Sequence, residues 1–140
     1  MNGNAIDEDR KSTIVTDVSP ESAEKVSNFF DLFNEEHDIP FKVATKVMVI
    51  NDEIYSNIIY YSGATTATIT AEYGDDKMII SYQDNGIYYD PLAKDDPDVT
   101  LSAEERKIGG LGIYMVKQMA EDVKYSRIQD KNILDIVIKV

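Results

Sequence analysis

The stretch MIISYQDNG, residues 78–86, has the pattern of a strand that ends on a carboxylate, an amide and a glycine. One interpretation is a hairpin turn, because Asn-Gly is a strong signal for a two-residue hairpin connection. No second strand follows Gly86 at hairpin distance, since Pro91 and a charged segment come next. The alternative interpretation is that Asp84 and Gly86 form part of a ligand site at the end of a buried strand.

Composition limits the classes of function that the chain can have. Its 140 residues are 43% hydrophobic and 29% charged, enough for one domain with a hydrophobic core. The absence of cysteine excludes disulfides and thiolate metal sites, and a single histidine argues against a histidine metal cluster or a catalytic triad. The net charge of -12 disfavours direct binding to nucleic acid or to an anionic membrane, because both need a basic face. A nucleotide held by backbone amides and a divalent cation is still compatible with this charge.

The N-terminal segment is polar and acidic, and we expect residues 1–12 to be a disordered tail before a domain that spans residues 13–140. It does not resemble a signal peptide. No apolar run approaches the roughly 18 residues of a membrane span. The sequence therefore predicts a cytoplasmic protein.

Hydrophobic periodicity predicts five strands and three main helices. The predicted strands are residues 13–17, 66–73, 78–83, 123–128 and 133–140. The predicted helices are residues 20–38, 41–61 and 113–121. We expect the second helix to bury Val47, Ile50, Ile54, Ile58 and Tyr61. The predicted fold class is an α+β two-layer sandwich, in which a mixed, mostly antiparallel five-stranded sheet carries the three helices on one face.

Glu53 and Asn57 form a polar stripe beside the core face of the second predicted helix. Four residues advance about 40° around a helix, so the two side chains point the same way, one turn apart. Exposed pairs of this kind usually belong to a solvated face. In a cleft, the amide oxygen would instead suit Mg²⁺ and the carboxylate could orient a hydroxyl or a water.

A long loop and a glycine-rich helix start follow the stretch around Asp84. Residues 88–108 show no sustained periodicity, and a loop of this length in a small domain is either functional or disordered. Gly109-Gly110-Leu111-Gly112 then opens a helix, where free backbone N–H groups favour phosphate. A flexible hinge or tight packing against a strand is the alternative. The spacing matches neither the Rossmann nor the P-loop pattern.

Together, Glu-x-x-x-Asn on a helix, Asp-x-Gly after a strand and Gly-x-Gly opening a helix resemble the N, G1 and G2 boxes of the GHKL ATPases. In that comparison, residues 88–108 correspond to the ATP lid. The runs DNGIYYDP, residues 84–91, and GGLGIYMVK, residues 109–117, are similar to the bacterial anti-sigma-factor serine/threonine kinases. The resemblance covers about residues 13–140 and implies the histidine kinase-like ATPase fold.

The resemblance also implies roles for individual residues. Glu53 would be the catalytic carboxylate that positions a serine hydroxyl, and Asn57 would coordinate the Mg²⁺ that bridges the ATP phosphates. Asp84 would bind the N6 amine of adenine, with Gly86 under the ring. The other implied nucleotide contacts are Tyr88, Arg106, Lys107, Gly109, Gly110, Leu111 and Gly112.

One position departs from the family's pattern. Relatives often carry histidine or lysine three or four residues after the N-box asparagine, where this chain has Tyr60 and Tyr61. A tyrosine hydroxyl can hydrogen-bond phosphate, but it brings no positive charge. The departure bears on catalytic efficiency more than on ATP binding.

The function that the resemblance implies is an ATP- and Mg²⁺-dependent serine/threonine protein kinase. Its implied partners are a sigma factor, which it sequesters, and a STAS-type anti-sigma-factor antagonist, which it phosphorylates on serine. Members of this group commonly form homodimers, so a homodimer is one expected arrangement. Two alternatives stay open at this point: a nucleotide-dependent protein-binding switch with weak or no kinase activity, and an ATP hydrolase. The length excludes a complete sensor histidine kinase within these residues.

Overall fold

The computed structural model describes residues 10–93 and 111–140 of the chain. The strands are β1 (Lys11–Asp17), β2 (Thr66–Gly74), β3 (Lys77–Asp84), β4 (Asp122–Ile128) and β5 (Lys131–Lys139). The helices are α1 (Ser22–Glu36), α2 (Phe41–Asn57), a π-helical turn (Ile58–Ser62) and α3 (Leu111–Met119). The predicted elements are therefore all present, with the first strand beginning two residues before the predicted start at Thr13. None of the described helices is both long and apolar enough to cross a membrane.

The five strands form one sheet in the order β1-β2-β3-β5-β4. We expected a mixed sheet, but every pairing within residues 10–93 and 111–140 is antiparallel. Two tight hairpins account for part of this difference. Asp75-Asp76 and Gln129-Asp130 have positive φ at both positions. Such turns match the twist of two neighbouring antiparallel strands.

The helices pack on one face of the sheet, and the core lies between the two layers. Alternate residues of β3 and β5 face this core, as their period of two predicted: Met78, Ile80, Tyr82, Leu134, Ile136 and Ile138 are buried. The helical layer contributes Val26, Phe30, Phe33, Val47, Ile50 and Ile54 to the same core. The predicted two-layer α+β architecture is thus confirmed. Asp84 and Asn132 continue the core-facing alternation to one end of the sheet, where the site lies.

The π-helical turn after α2 changes which residues face the core. Tyr61 is 63% exposed although a continuous α-helical period placed it inside, and Ser62 is buried instead. A π turn has more residues than an α turn, so it shifts the buried face by about one position. Gly63, at φ +69°, then ends the helix in the left-handed conformation that glycine tolerates. The prediction for Tyr61 was therefore wrong.

Candidate active site

Glu53 and Asn57 lie half-buried near the C-terminal end of α2. The Asn57 Nδ2 donates a hydrogen bond to Glu53 Oε2 at 3.0 Å. This bond fixes the orientation of the amide, so that Asn57 Oδ1 points away from the Glu53 carboxylate. The predicted stripe therefore forms a connected pair, and Asn57 lines a pocket instead of a fully solvated face.

Gly112, near the start of α3, lies directly against Glu53. A Cβ atom on Gly112 would collide with the Glu53 carboxylate, touching its Cδ and both oxygens. The lack of a side chain is thus what lets α3 approach α2 at this point. The structure brings the predicted catalytic carboxylate together with Gly112, the last glycine of the predicted glycine-rich helix start. Leu111, the first residue of α3, is 39% exposed.

Asp84 ends β3 with its carboxylate buried, at 5% exposure. Its Oδ1 accepts hydrogen bonds from the Gly86 backbone N–H at 2.9 Å and from Asn132 Nδ2 at 3.1 Å. The hairpin turn, the first of the two interpretations of this stretch, is absent, and Asn85 Oδ1 accepts bonds from the backbone N–H groups of residues 65 and 66. Both donors to Asp84 bind Oδ1, and the second oxygen of the carboxylate has no hydrogen bond from any described residue.

Gly86 connects the end of β3 to the end of the π turn. A Cβ on Gly86 would meet the backbone oxygen of Ser62, and the next residue, Ile87, donates its N–H to that same oxygen at 2.8 Å. Gly86 therefore needs its missing side chain for close approach and not for an unusual φ. Near this contact, Asn57 of α2 and the carboxylate of Asp84 line one pocket.

The pocket lies between α2, the end of β3 and the start of β5. Its lining combines apolar and aromatic walls with an amide and a carboxylate: Ile54, Asn57, Ile58, Tyr82, Asp84, Tyr89, Pro91, Tyr125, Asn132 and Leu134. The open space within it is about 20 Å³, room for about one water molecule. A flat ring can enter only if part of the lining moves.

Tyr89 lines the pocket from the segment after Gly86, as Pro91 does. Its ring stacks on Tyr61, with the centroids 6.2 Å apart, and burial, the Glu53 charge and Tyr61 raise the pKa of its hydroxyl. Tyr88, the neighbour for which a nucleotide contact was predicted, is 63% exposed and meets Tyr125 edge-on at 5.7 Å. Tyr88 is not part of the pocket lining in this arrangement.

Asn132 and Arg127 are part of the site, and the sequence analysis did not identify them. Asn132 Nδ2 donates to Asp84 and to Ile87 O at 2.7 Å, while Arg127 Nη1 donates to Gly86 O at 3.0 Å. One signal could have found Asn132: the core-facing alternation of β5 extends back to it, so a polar side chain falls on the buried face. Asn132 lies between the predicted strands 123–128 and 133–140, which is why the alternation was not extended to it.

Several predicted site residues lie outside the described residues. These are Arg106, Lys107, Gly109 and Gly110, together with the lid from residue 94 to residue 108 and the tail residues 1–9. Their predicted roles stay predictions.

The donor set of the described site fits a nucleotide-bound Mg²⁺. Mg²⁺ takes oxygen ligands, keeps several waters and often shares substrate phosphates, so one protein oxygen such as Asn57 Oδ1 is enough. Within the described ranges, no group of three or more His, Cys, Asp or Glu side chains could hold a metal. A metal at this site would thus depend on ligands from phosphate and water.

Comparison with known proteins gives the same fold. The sequence profile described as the histidine kinase-like ATPase domain matches residues 16–138. No curated protein sequence matches the chain significantly. Among solved structures, the histidine kinase AdeS of Acinetobacter baumannii aligns with a TM-score of 0.52 and 18% sequence identity, over 91% of this chain and 67% of that chain. At this identity the likeness supports the fold alone.

Proposed function

The chain belongs to the histidine kinase-like ATPase domain family, and from this premise we propose that it is an ATP-binding, anti-sigma-factor-like serine/threonine protein kinase. Members of this family are ATP-dependent kinases or ATPases. The observation that carries the proposal is that Glu53, which lies against Gly112, accepts a hydrogen bond from Asn57, and Asn57 lines the same pocket as Asp84.

The base-binding end of the proposed site is the pocket around Asp84. A buried carboxylate oxygen accepts a hydrogen bond from an exocyclic amine such as N6 of adenine. Apolar walls such as Ile54 and Leu134 bury the ring, and Gly86 allows the backbone to lie close to it. An oxygen acceptor at this position favours adenine over guanine, which presents a carbonyl at the equivalent ring position.

The phosphate end of the proposed site is the junction of α2 and α3. Asn57 contributes its amide oxygen to a metal, and Mg²⁺, when bound, supplies positive charge to the phosphates. Glu53 orients the acceptor serine hydroxyl and accepts its proton. Phosphoryl transfer depends mainly on positioning and electrostatic stabilisation, so this small set of groups suffices without histidine or cysteine.

The proposed partners follow from the motifs that resemble the anti-sigma-factor kinases. The protein sequesters a sigma factor and phosphorylates a serine of a STAS-type antagonist, in the cytoplasm and as a homodimer. Its net charge of -12 favours association with proteins that present basic surfaces. Neither nucleic acid nor membrane takes part directly.

A second candidate is a nucleotide-dependent protein-binding switch that transfers phosphate weakly or not at all. Two observations favour it. Tyr60 and Tyr61 stand where relatives often carry a basic residue. The ring of Tyr61 also stacks on Tyr89 at a pocket with only about 20 Å³ of open space. Nucleotide entry then requires the segment that contains Tyr89 to move, and such a movement can control docking of a partner.

The test is phosphotransfer from γ-labelled ATP·Mg²⁺ to the STAS-domain proteins of the same organism, each purified and tried in turn. Glu53→Gln keeps the size of the side chain and an oxygen for Asn57, but it removes the negative charge. We expect this variant to bind ATP and to transfer phosphate about 100-fold more slowly than the wild type. Asp52→Asn, an exposed neighbour on α2, is the charge-matched control and should behave as wild type.

The outcomes separate the candidate functions. Labelled serine on an acceptor supports the kinase. Tight ATP binding without transfer, together with ATP-dependent partner binding, supports the switch. Release of inorganic phosphate without any acceptor protein supports an ATP hydrolase. A Glu53→Gln variant that transfers phosphate at the wild-type rate contradicts the catalytic role of Glu53.

A further inference from the structure

Arg127 forms one end of a row of three polar side chains across the sheet. In the register of the strands, Asp84 of β3 is paired with Asn132 of β5, and Asn132 is paired with Arg127 of β4. Arg127 is half-buried, and its Nη1 donates to Asn132 Oδ1 and to the Gly86 carbonyl, at 3.0 Å in each case. The guanidinium therefore contacts both the neighbour of Asp84 and the turn that follows Asp84.

The orientation of the Asn132 amide decides whether its nitrogen, a donor, or its oxygen, an acceptor, faces Asp84 Oδ1. The two ends of an asparagine amide have nearly the same shape, so hydrogen-bond partners determine which end faces which way. Asn132 Oδ1 accepts from the Tyr89 backbone N–H at 3.2 Å, from Arg127 at 3.0 Å and from the Tyr125 hydroxyl. The N–H of Tyr89 and the guanidinium of Arg127 are donors only and cannot accept a bond from a reversed amide. Asn132 Nδ2 must then face Asp84 Oδ1, where it donates at 3.1 Å.

We infer that Arg127 is a positioning residue for recognition of the purine base, because it holds Asn132 and the Gly86 carbonyl in the arrangement that orients the Asp84 carboxylate. The inference rests on the proposed ATP binding and deepens it. Asp84 Oδ1 is occupied by two donors, so the second oxygen is the one presented to an exocyclic amine. Without Arg127, the amide of Asn132 loses one of its two donor-only partners. The carbonyl oxygen of Gly86 also loses its hydrogen bond from Arg127 Nη1.

The test compares two nucleotides in the presence of Mg²⁺ by calorimetric titration. Purine riboside triphosphate matches ATP but lacks the exocyclic amine that Asp84 is expected to recognise. Arg127→Met keeps an apolar stem of similar length and removes every donor. We expect the Kd for ATP to rise about tenfold and the Kd for purine riboside triphosphate to change less than about twofold. A residue that only stabilised the fold would raise both Kd values alike.

The matched control is Lys124→Met. Lys124 lies on the same strand three residues earlier, so it is exposed on the opposite face, and its removal changes the net charge equally. It should alter neither Kd. If Arg127→Met does not fold, Arg127→Lys gives the same comparison, because a single ammonium cannot reproduce the geometry of the guanidinium.

Two results overturn the inference. In the first, the wild type prefers ATP to purine riboside triphosphate, and Arg127→Met either keeps both affinities or loses both equally; the inference then fails alone. In the second, the wild type binds neither nucleotide or does not distinguish them, and the proposed recognition of adenine fails with it. A loss confined to ATP supports Arg127 as a positioning residue.

Discussion

The carboxylate of Glu53 on α2 fills the space that a side chain on Gly112 of α3 would need. The two residues are far apart in the chain, and the contact depends on a glycine at that position. The same carboxylate accepts a hydrogen bond from Asn57 at 3.0 Å. Any atom added at Gly112 therefore acts on Glu53 and, through it, on Asn57.

Gly112→Ala should impair phosphotransfer while leaving the fold nearly intact. The added methyl group meets the far end of a flexible side chain, so Glu53 can move aside, and alanine favours a helix over glycine by up to about 1 kcal/mol. We expect the free energy of unfolding to change by less than about 1 kcal/mol. Displacement of the carboxylate should slow transfer about 10- to 100-fold, measured with labelled ATP.

A double variant and a control test this explanation. In a Glu53→Ala background, Gly112→Ala should cause little further loss, because the displaced group is already gone. Gly74→Ala is the control, since the nearest atoms to its Cβ would belong to the flexible side chain of Arg10, with Nη1 at 2.9 Å, outside the pocket. Full additivity of the Glu53 and Gly112 losses would contradict a shared mechanism.

Gly86→Ala should reduce both the stability of the fold and ATP binding. Its Cβ would meet the backbone oxygen of Ser62, which cannot swing away, and Asp84 Oδ1 at 2.9 Å. Overpacking of this kind typically costs about 1–3 kcal/mol. Urea denaturation measures the loss of stability, and calorimetry measures the ATP affinity.

Gly63→Ala provides the contrast with Gly86→Ala. Gly63 has φ +69° and no atom within 4 Å of an added Cβ, so the cost is backbone strain of about 1–2 kcal/mol without obstruction of the pocket. Stability should fall while the ATP affinity stays near the wild-type value. An equal loss of affinity in both variants would show that Gly86 acts only through general stability.

Asp84→Asn should weaken ATP binding about 10- to 100-fold with the fold retained. The new side chain keeps an oxygen for the Gly86 N–H and for Asn132 Nδ2, the two donors that hold Oδ1 now. The amide nitrogen of the new side chain takes the place of the second carboxylate oxygen, and this donor faces the donor amine of adenine. Calorimetry gives the ATP affinity, and thermal denaturation checks the fold. Wild-type ATP affinity in this variant would contradict the proposed role of Asp84 in recognition of the base.

Tyr82→Phe should lower stability at neutral pH and flatten its decline in alkali. The Tyr82 hydroxyl donates to the buried Asn51 Oδ1 at 2.9 Å, and leaving that oxygen unsatisfied costs about 1–3 kcal/mol. Burial, and to a lesser extent Asp52, raises the pKa of Tyr82 well above its usual value. Its contribution to stability is thus complete below about pH 10, the pKa of an unfolded tyrosine, and falls as the pH rises further.

Denaturation curves between neutral pH and about pH 11 measure this effect. The variant should lose less stability over the alkaline range than the wild type, since one buried hydroxyl no longer titrates. Tyr55, Tyr89 and Tyr125 also have raised pKa values and should supply the remaining slope. Identical alkaline slopes in the two proteins would contradict the effect of burial on Tyr82.

Local periodicity was enough to predict most of the core. The alternation in β5 identified Leu134, Ile136 and Ile138, and helical spacing identified Val47, Ile50 and Ile54, because burial follows directly from strand and helix geometry. Tyr61 could not be predicted in the same way. A π turn changes the angular step after α2, and nothing in the periodicity of the apolar residues announces it.

The candidate site also contains residues that local patterns predict and residues that they do not. Glu53, Asn57, Asp84, Gly86 and Gly112 could be predicted as site residues because each belongs to a short motif with a local spacing. Asn132 and Arg127 belong to no motif, and their contacts with residues 84–89 exist only because β5 lies between β3 and β4. Strand order is a long-range property, so single-sequence patterns did not supply it.

The sequence by itself determined the two-layer α+β class, the positions of the elements and the residue types that a nucleotide site requires. These follow from the spacing of apolar residues and from glycines at fixed offsets. Only the tertiary structure decided that Glu53 would lie against Gly112, that Gly86 would lie against Ser62, and that Arg127 would reach Asp84 through Asn132. The physical reason is that side-chain contacts between distant segments depend on how helices and strands pack, and packing is settled by the whole core at once.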